Sequence, residues 1–236
     1  MMKSYLENNP SIVNPKKIIY HFPGGPGNYL SKHDKMISFL KKMNYLFFDT
    51  RNEMLKYYSA KISSPKILEI GVFRGEFLEY LVKNCNAGSI DAVDLFQGIT
   101  CSGDVDGNNV VHYNVEKSYL ELSEKYKNQD NIKIYKENSL SFLFNKDDNT
   151  YDMIYIDGDH SYNGVKNDLM NAYNKIKDHG YIMGHDYEMN MEKAITNYDF
   201  GVKKAVDEFC ITYKQEIVAL ALDGCVSFCI HVNKCS

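Results

Sequence analysis

The chain reads as an α/β domain built on a mostly parallel sheet that closes with an antiparallel hairpin, with helices on both faces. Three observations carry that reading. Between residues 66 and 183, short strand patterns alternate with helix patterns, which implies right-handed βαβ units. Two apolar runs, 217–222 and 225–232, flank Asp223-Gly224, a tight-hairpin signal. Polar residues stand at the end of each parallel strand, the edge where open α/β sheets bind ligands.

The elements follow in order. All five prolines (Pro10, Pro15, Pro23, Pro26, Pro65) lie in residues 1–65, which read as an N-terminal extension to the α/β domain over 66–236. The segment HFPGGPGNY cannot be regular structure. Helices are predicted over 31–43, with Met36, Ile37, Phe39 and Leu40 on one face, and over 49–62, where Asp49-Thr50 supplies an N-cap. KILEI at 66–70 is the first parallel strand and residues 71–75 a glycine turn. A helix over 76–83 follows, with Phe77, Tyr80 and Leu81 turned inward. Strands are predicted over 89–95, 132–135, 151–157 and 181–183, and helices over 115–127, 139–144 and 164–177. Long loops, 96–109 and 187–200, lie at the ligand edge, where such loops form lids or substrate walls.

Composition narrows the function. With 27 Lys and Arg against 31 Asp and Glu, the net charge of −4 gives no field for gripping nucleic acid or an anionic membrane. No run reaches the ~20 apolar residues of a bilayer span, and residues 1–15 lack the apolar core of a secretory signal. The six cysteines form no CxxC pair and read as reduced thiols, so a cytoplasmic protein is expected. A homo-oligomer is compatible with all of this.

The strand ends hold the chemistry. Glu69, Gly71 and Gly75 follow the first strand, Asp94 the second, and Asn138 and Ser139 the third. Asp157, Asp159 and His160 follow the fourth, and His185 and Asp186 the fifth. Asp also favours turn caps, so a local role is open for Asp157 and Asp159. The first turn is GxxxG, which lacks the dinucleotide fingerprint and the P-loop lysine. Asp94 follows Gly71 by roughly 20 residues, the spacing at which a carboxylate accepts both hydroxyls of a ribose. Together these features point to a nucleoside-type cofactor.

LEIGVFRGEF, AVDLF, YDMIYIDGDHSYNGVKNDL and GYIMGHDY resemble the class I S-adenosylmethionine-dependent methyltransferases. Within them the chain is most similar to the metal-dependent O-methyltransferases, including the sugar and macrolide-sugar branch. The resemblance covers roughly residues 60–233, and IDGDHSY with GHDY is its specific part. It implies a Rossmann-like methyltransferase fold with a seven-stranded sheet. It places Glu69, Gly71 and Gly75 along the methionine portion of the cofactor, Asp94 on the ribose and Ser139 near the adenine, with Asn138 also among the cofactor-binding residues. Asp157 and Asp186 match the metal-ligand carboxylates, with Asp157 also beside the cofactor. His160 falls at the position of the general base. The group often has an oxygen donor directly after the second Asp. Here stands Tyr187, which leaves His185, Asp159 or water as third ligand.

Elementary chemistry agrees with these roles. An alcohol is a poor nucleophile until its proton leaves. Mg²⁺, or Mn²⁺, on Asp157 and Asp186 would orient it and lower its pKa, and imidazole suits proton removal near neutrality. The Asp and Asn of the loop at 104–109 suit a sugar or other small polar acceptor. A catechol-type acceptor, or a silent binding module, are the alternatives. The N-terminal extension is then expected to close over cofactor or acceptor.

Overall fold

The computed structural model describes residues 45–97, 99–102, 111–189, 201–223 and 225–234. The helix expected at 31–43, the irregular segment before it, and most of both long loops lie outside them.

An eight-stranded sheet runs β1-β9-β10-β8-β7-β2-β3-β6. Its strands are β1 (Leu46–Phe48), β2 (Lys66–Ile70), β3 (Ser89–Asp94), β6 (Ile132–Lys136), β7 (Tyr151–Ile156), β8 (Ile176–Met189), β9 (Glu216–Asp223) and β10 (Cys225–His231). β10 is antiparallel to β8 and β9, and every other pairing is parallel. The expected alternation and terminal hairpin are therefore present. The strand count differs: eight, not seven. The extra strand comes from Leu46-Phe47-Phe48, which pairs in parallel with Ala219–Ala221 on the outer side of the hairpin. Three residues are too few to show a period, so sequence pattern carries no sign of it. A separate two-stranded ribbon, β4 (Ile99–Ser102) with β5 (Val111–Asn114), stands where one long loop was expected.

Six helices among the described residues cover the sheet. α1 (Arg51–Ser59), α2 (Glu76–Asn84) and α3 (Val115–Tyr126) pack on one face, and α4 (Ser139–Phe144), α5 (Tyr162–Lys175) and α6 (Val202–Tyr213) on the other. Met54, Leu55, Leu78, Leu81 and Leu122 meet Ile67, Met153 and Met183 on the first face. Val165, Leu169, Val206 and Phe209 meet Ile154, Ile182 and Phe228 on the second. Thr50 caps α1 by accepting from the Glu53 backbone N–H at 3.2 Å, the role expected of that residue. In α2 the fully buried residues are Leu78 and Leu81. Phe77 and Tyr80 pack against the same core but are half-buried, Phe77 on Tyr155 of β7 and Tyr80 with its hydroxyl on the Asn52 carbonyl. α6 has no sequence expectation, although Val202, Ala205, Val206 and Phe209 recur at helical spacing. No helix among the described residues is long and apolar enough to cross a membrane.

β1 matters beyond its length because it leads directly into α1. Phe48 is fully buried, 5.3 Å from the Tyr57 ring and 6.2 Å from Tyr58. Tyr58 in turn packs at 4.6 Å on Tyr181 of β8. Phe48→Ala should lower the unfolding free energy by about 3–5 kcal/mol through the cavity it leaves, read as a fall in the urea midpoint at constant m-value. A shift below about 1 kcal/mol would mean that β1 is not part of the cooperative core.

Candidate functional site

The turn after β2 sets the geometry. Gly71 has φ 90° and Gly75 φ 84°, with Phe73 also at positive φ. A Cβ on Gly71 would stand 2.1 Å from the carbonyl oxygen of Asp157, so only glycine lets this turn reach the end of β7. The Gly71 backbone N–H donates to the Val93 carbonyl and that of Asp157 to the Ile70 carbonyl, locking three strand ends together. Gly75 opens α2 and packs on Leu122 rather than lining the ligand space.

At this edge lies a cavity of about 790 Å³, walled by Glu69, Gly71, Asp94, Asn138, Ser139, Asp157 and His160 among others. Four of the five parallel strand ends thus converge on one space, as the sequence implied.

The Asp94 carboxylate accepts from three backbone N–H groups: Val72 at 2.8 Å and Phe73 at 2.9 Å on one oxygen, Phe96 at 2.7 Å on the other. With four acceptor sites on a carboxylate, one remains for a ligand. Asn138 caps α4, its side-chain oxygen accepting from Leu140 and Ser141. The Ser139 hydroxyl donates to Asp168 at 2.7 Å. Asp159 keeps the local role open to it, accepting from the Ser161 N–H at 2.9 Å.

The far end of the cavity is a cluster of acids and imidazoles. His160 Nε2 lies 3.2 Å from Asp157 Oδ1 and 3.2 Å from Asp186 Oδ2. One ligand atom each from Asp157, His160 and Asp186 lies within 4.8 Å of the others. His185 Nδ1 stands 3.3 Å from Asp186 and 3.9 Å from Asp157. His185 and Asp186 reach the cavity through these two neighbours and are not on its wall. Tyr187 turns away, its hydroxyl donating to Asp207 of α6 at 2.6 Å, and takes no part in the cluster. Two carboxylates with imidazole nitrogens in this spacing fit a divalent cation, with the nitrogens admitting Mn²⁺ as readily as Mg²⁺.

Electrostatics follow burial. Desolvation, reinforced by Asp157 and Asp94, holds the Glu69 carboxyl well above its usual range. Burial pulls the His160 imidazole down, but its hydrogen bond to Asp157 and the charges of Asp186, Asp157 and Asp159 outweigh that and raise it. Burial pushes the Asp168 carboxyl up to about 6 against the hydrogen bond from Ser139.

Among the wall residues absent from the sequence reading of the site, two contact its predicted members. Arg51, the first residue of α1, sets Nη1 3.1 Å from Asp157 Oδ2 and its guanidinium 5.1 Å from the Phe77 ring. No local pattern marks it. Asp168 does carry a signal. It falls on the inward stripe of α5 with Val165, Leu169 and Ala172, and a charge in a buried stripe points to function.

The family described as "Methyltransferase domain" matches residues 68–187, and the chain belongs to it. No curated protein matches the chain. Among solved structures it is similar to the N-methyltransferase NodS from Bradyrhizobium japonicum WM9 (12% identity, 78% of this chain and 94% of that one, TM-score 0.55). It is also similar to an rRNA methylase from Streptococcus thermophilus (11%, 77% and 95%, 0.51). A third similar structure is a protein from Corynebacterium glutamicum (9%, 98% and 95%, 0.53). The fold is thus the class I fold of the S-adenosylmethionine-dependent methyltransferases, which leaves open the atom methylated.

Asp168 gives a pH test. The unfolded carboxyl titrates near the ordinary 3.8 and the folded one near 6, so the native state holds the extra proton between those values. Stability therefore falls as pH rises from about 4 to about 6, by up to about 3 kcal/mol. Asp168→Asn should flatten that segment of the unfolding free energy against pH. An unchanged slope in the variant would show that Asp168 is not the group responsible.

Proposed function

We propose that the chain is an S-adenosylmethionine-dependent, divalent-metal-assisted O-methyltransferase acting on a hydroxyl of a sugar or other small polar acceptor. The observation that carries this is the convergence of Asp157, His160 and Asp186 beside the cavity that Glu69, Gly71 and Asp94 line. A NodS structure contains S-adenosyl-L-homocysteine, which supports the same cofactor class on this fold.

When bound, the cofactor supplies an electrophilic methyl group and the divalent ion a Lewis acid. The residues divide the remaining work. Asp94 offers its remaining acceptor site to a ribose hydroxyl while the turn backbone holds its other three. Ser139, with its proton directed at Asp168, presents lone pairs to an adenine amino group. Glu69 lies along the methionine tail, and Gly71 lets that tail approach the backbone. Asp157 and Asp186 hold the ion. One nitrogen cannot both ligate and receive a proton, and wall position divides the imidazoles. His160 lines the cavity and takes the acceptor's proton, while His185, behind the wall and 3.3 Å from Asp186, is the nitrogen left for the ion. The net charge of −4 and the acidic cavity favour a neutral polyhydroxyl acceptor over nucleic acid.

Chelator should abolish turnover and Mg²⁺ or Mn²⁺ restore it. Asp157→Asn and Asp186→Asn should each weaken Mn²⁺ binding at least tenfold by titration calorimetry. His160→Ala should keep Mn²⁺ affinity while kcat falls by about 10²–10⁴. Full activity in chelator would remove the metal, and an unchanged kcat would remove His160 as base. A panel of free sugars beside catechols decides the acceptor class, and turnover of catechols alone would overturn the sugar reading.

A further inference from the structure

The cavity wall is acidic. Glu69, Asp94, Asp157 and Asp168 all face it, and Arg51 is the one arginine or lysine on it among the described residues. Such a wall welcomes the sulfonium and the ammonium of S-adenosylmethionine and repels the third charge of the molecule, its α-carboxylate. A carboxylate taken into a partly desolvated pocket needs a charged or hydrogen-bonding partner. The planar guanidinium, with two parallel donors, is the side chain that matches it. Arg51 is already in position, stacked on Phe77 with Nη1 3.1 Å from Asp157, and its charge is felt by Glu69. Glu69 is 1% exposed, and its Oε2 has no hydrogen-bond partner. A buried acceptor without a donor, beside a guanidinium, is complementary to an amino-acid zwitterion.

We propose that Arg51 binds the α-carboxylate of the cofactor, with the α-ammonium on Glu69, so that this pair selects for the complete methionine tail. The proposal rests on the reading that the cavity holds S-adenosylmethionine. It gives α1, an element outside the matched family segment, a direct part in cofactor recognition.

Titration calorimetry on the full chain tests it with three ligands: S-adenosylhomocysteine, its decarboxylated analogue, and 5′-methylthioadenosine, which lacks the whole tail. The native protein should prefer S-adenosylhomocysteine over the decarboxylated analogue by about tenfold to 100-fold, the range of a charge-assisted hydrogen-bond pair. Arg51→Gln should bind those two equally, and 5′-methylthioadenosine within twofold of the native value. Arg51→Lys should recover part of the preference. A preference kept in Arg51→Gln, or none in the native protein, overturns the role of Arg51. So does an equal loss for all three ligands, which would mark Arg51 as merely structural. Failure of the folded native protein to bind any of the three overturns the cofactor reading itself, and the proposal with it.

Discussion

Asp186, Asp157, Glu69 and Asp94 stand at or near the C-terminal ends of four neighbouring strands, β8, β7, β2 and β3 in that order across the sheet. A carboxylate withdrawn from water costs several kcal/mol unless hydrogen bonds or opposite charge replace its hydration. The protein meets that constraint differently at each position. Asp94 takes three backbone N–H groups from the turns around it. Asp157 takes Arg51 on one oxygen and His160 on the other. Asp186 takes His160 and His185. Glu69 takes nothing on Oε2, and its carboxyl is held toward the protonated form. The donors come from separate parts of the chain, so the ligand edge is also where the fold is tied together.

This explains why an edge strand on the far side of the sheet bears on the site. β1 docks on β9, at the opposite margin from β6, and its buried Phe48 fixes the start of α1. The first residue of α1 is Arg51, so the cation on Asp157 is delivered by the packing of an element that precedes every strand of the site in sequence. The Arg51–Asp157 ion pair thus ties residues 46–59 to the ligand edge of the parallel sheet even though their sequence characters differ.

Sequence made the parallel core legible because strand, turn and cap residues obey local rules. Asp, Asn, Ser and Gly at strand ends mark turns whatever their later use, and that inventory located Glu69, Asp94, Asn138, Ser139, Asp157, His160 and Asp186 at one edge. Asp223-Gly224 marked the hairpin in the same way. What local rules could not show was anything decided by distant packing. β1 is three residues long, and Arg51 owes its place to that strand. Phe77 and Tyr80 satisfy a helical period and pack on the core, Phe77 against Tyr155 of β7, but they stay half-buried because they sit at the margin shared with α1, where the Tyr80 hydroxyl donates to the Asn52 carbonyl. α6 and Asp168 were readable from spacing alone, the first as a helical apolar stripe and the second as a charge within one.

The pair His185-Asp186 shows how far the fold departs from regularity to assemble the cluster. Consecutive residues of a strand point to opposite faces, so a regular β8 would separate these two side chains. Instead His185 Nδ1 and Asp186 Oδ1 are 3.3 Å apart. β10 reveals the cause: Phe228 pairs with Gly184 and Val226 with Glu188, so residues 185–187 bulge out of register. Asp186 sits inside the bulge at φ 56°, a conformation that Asp tolerates better than most residues. Bulges re-aim side chains beside functional sites, and a left-handed non-glycine residue costs energy that surrounding contacts must offset. Asp186 is only 7% exposed and held by two imidazoles, which supply that offset. The same distortion turns Tyr187 away from the cluster into the core beneath α6, where it packs on Phe228 and its hydroxyl donates to Asp207. A single irregularity in β8 thus brings two adjacent polar residues to one side and sends the third away, which no alternating strand could do.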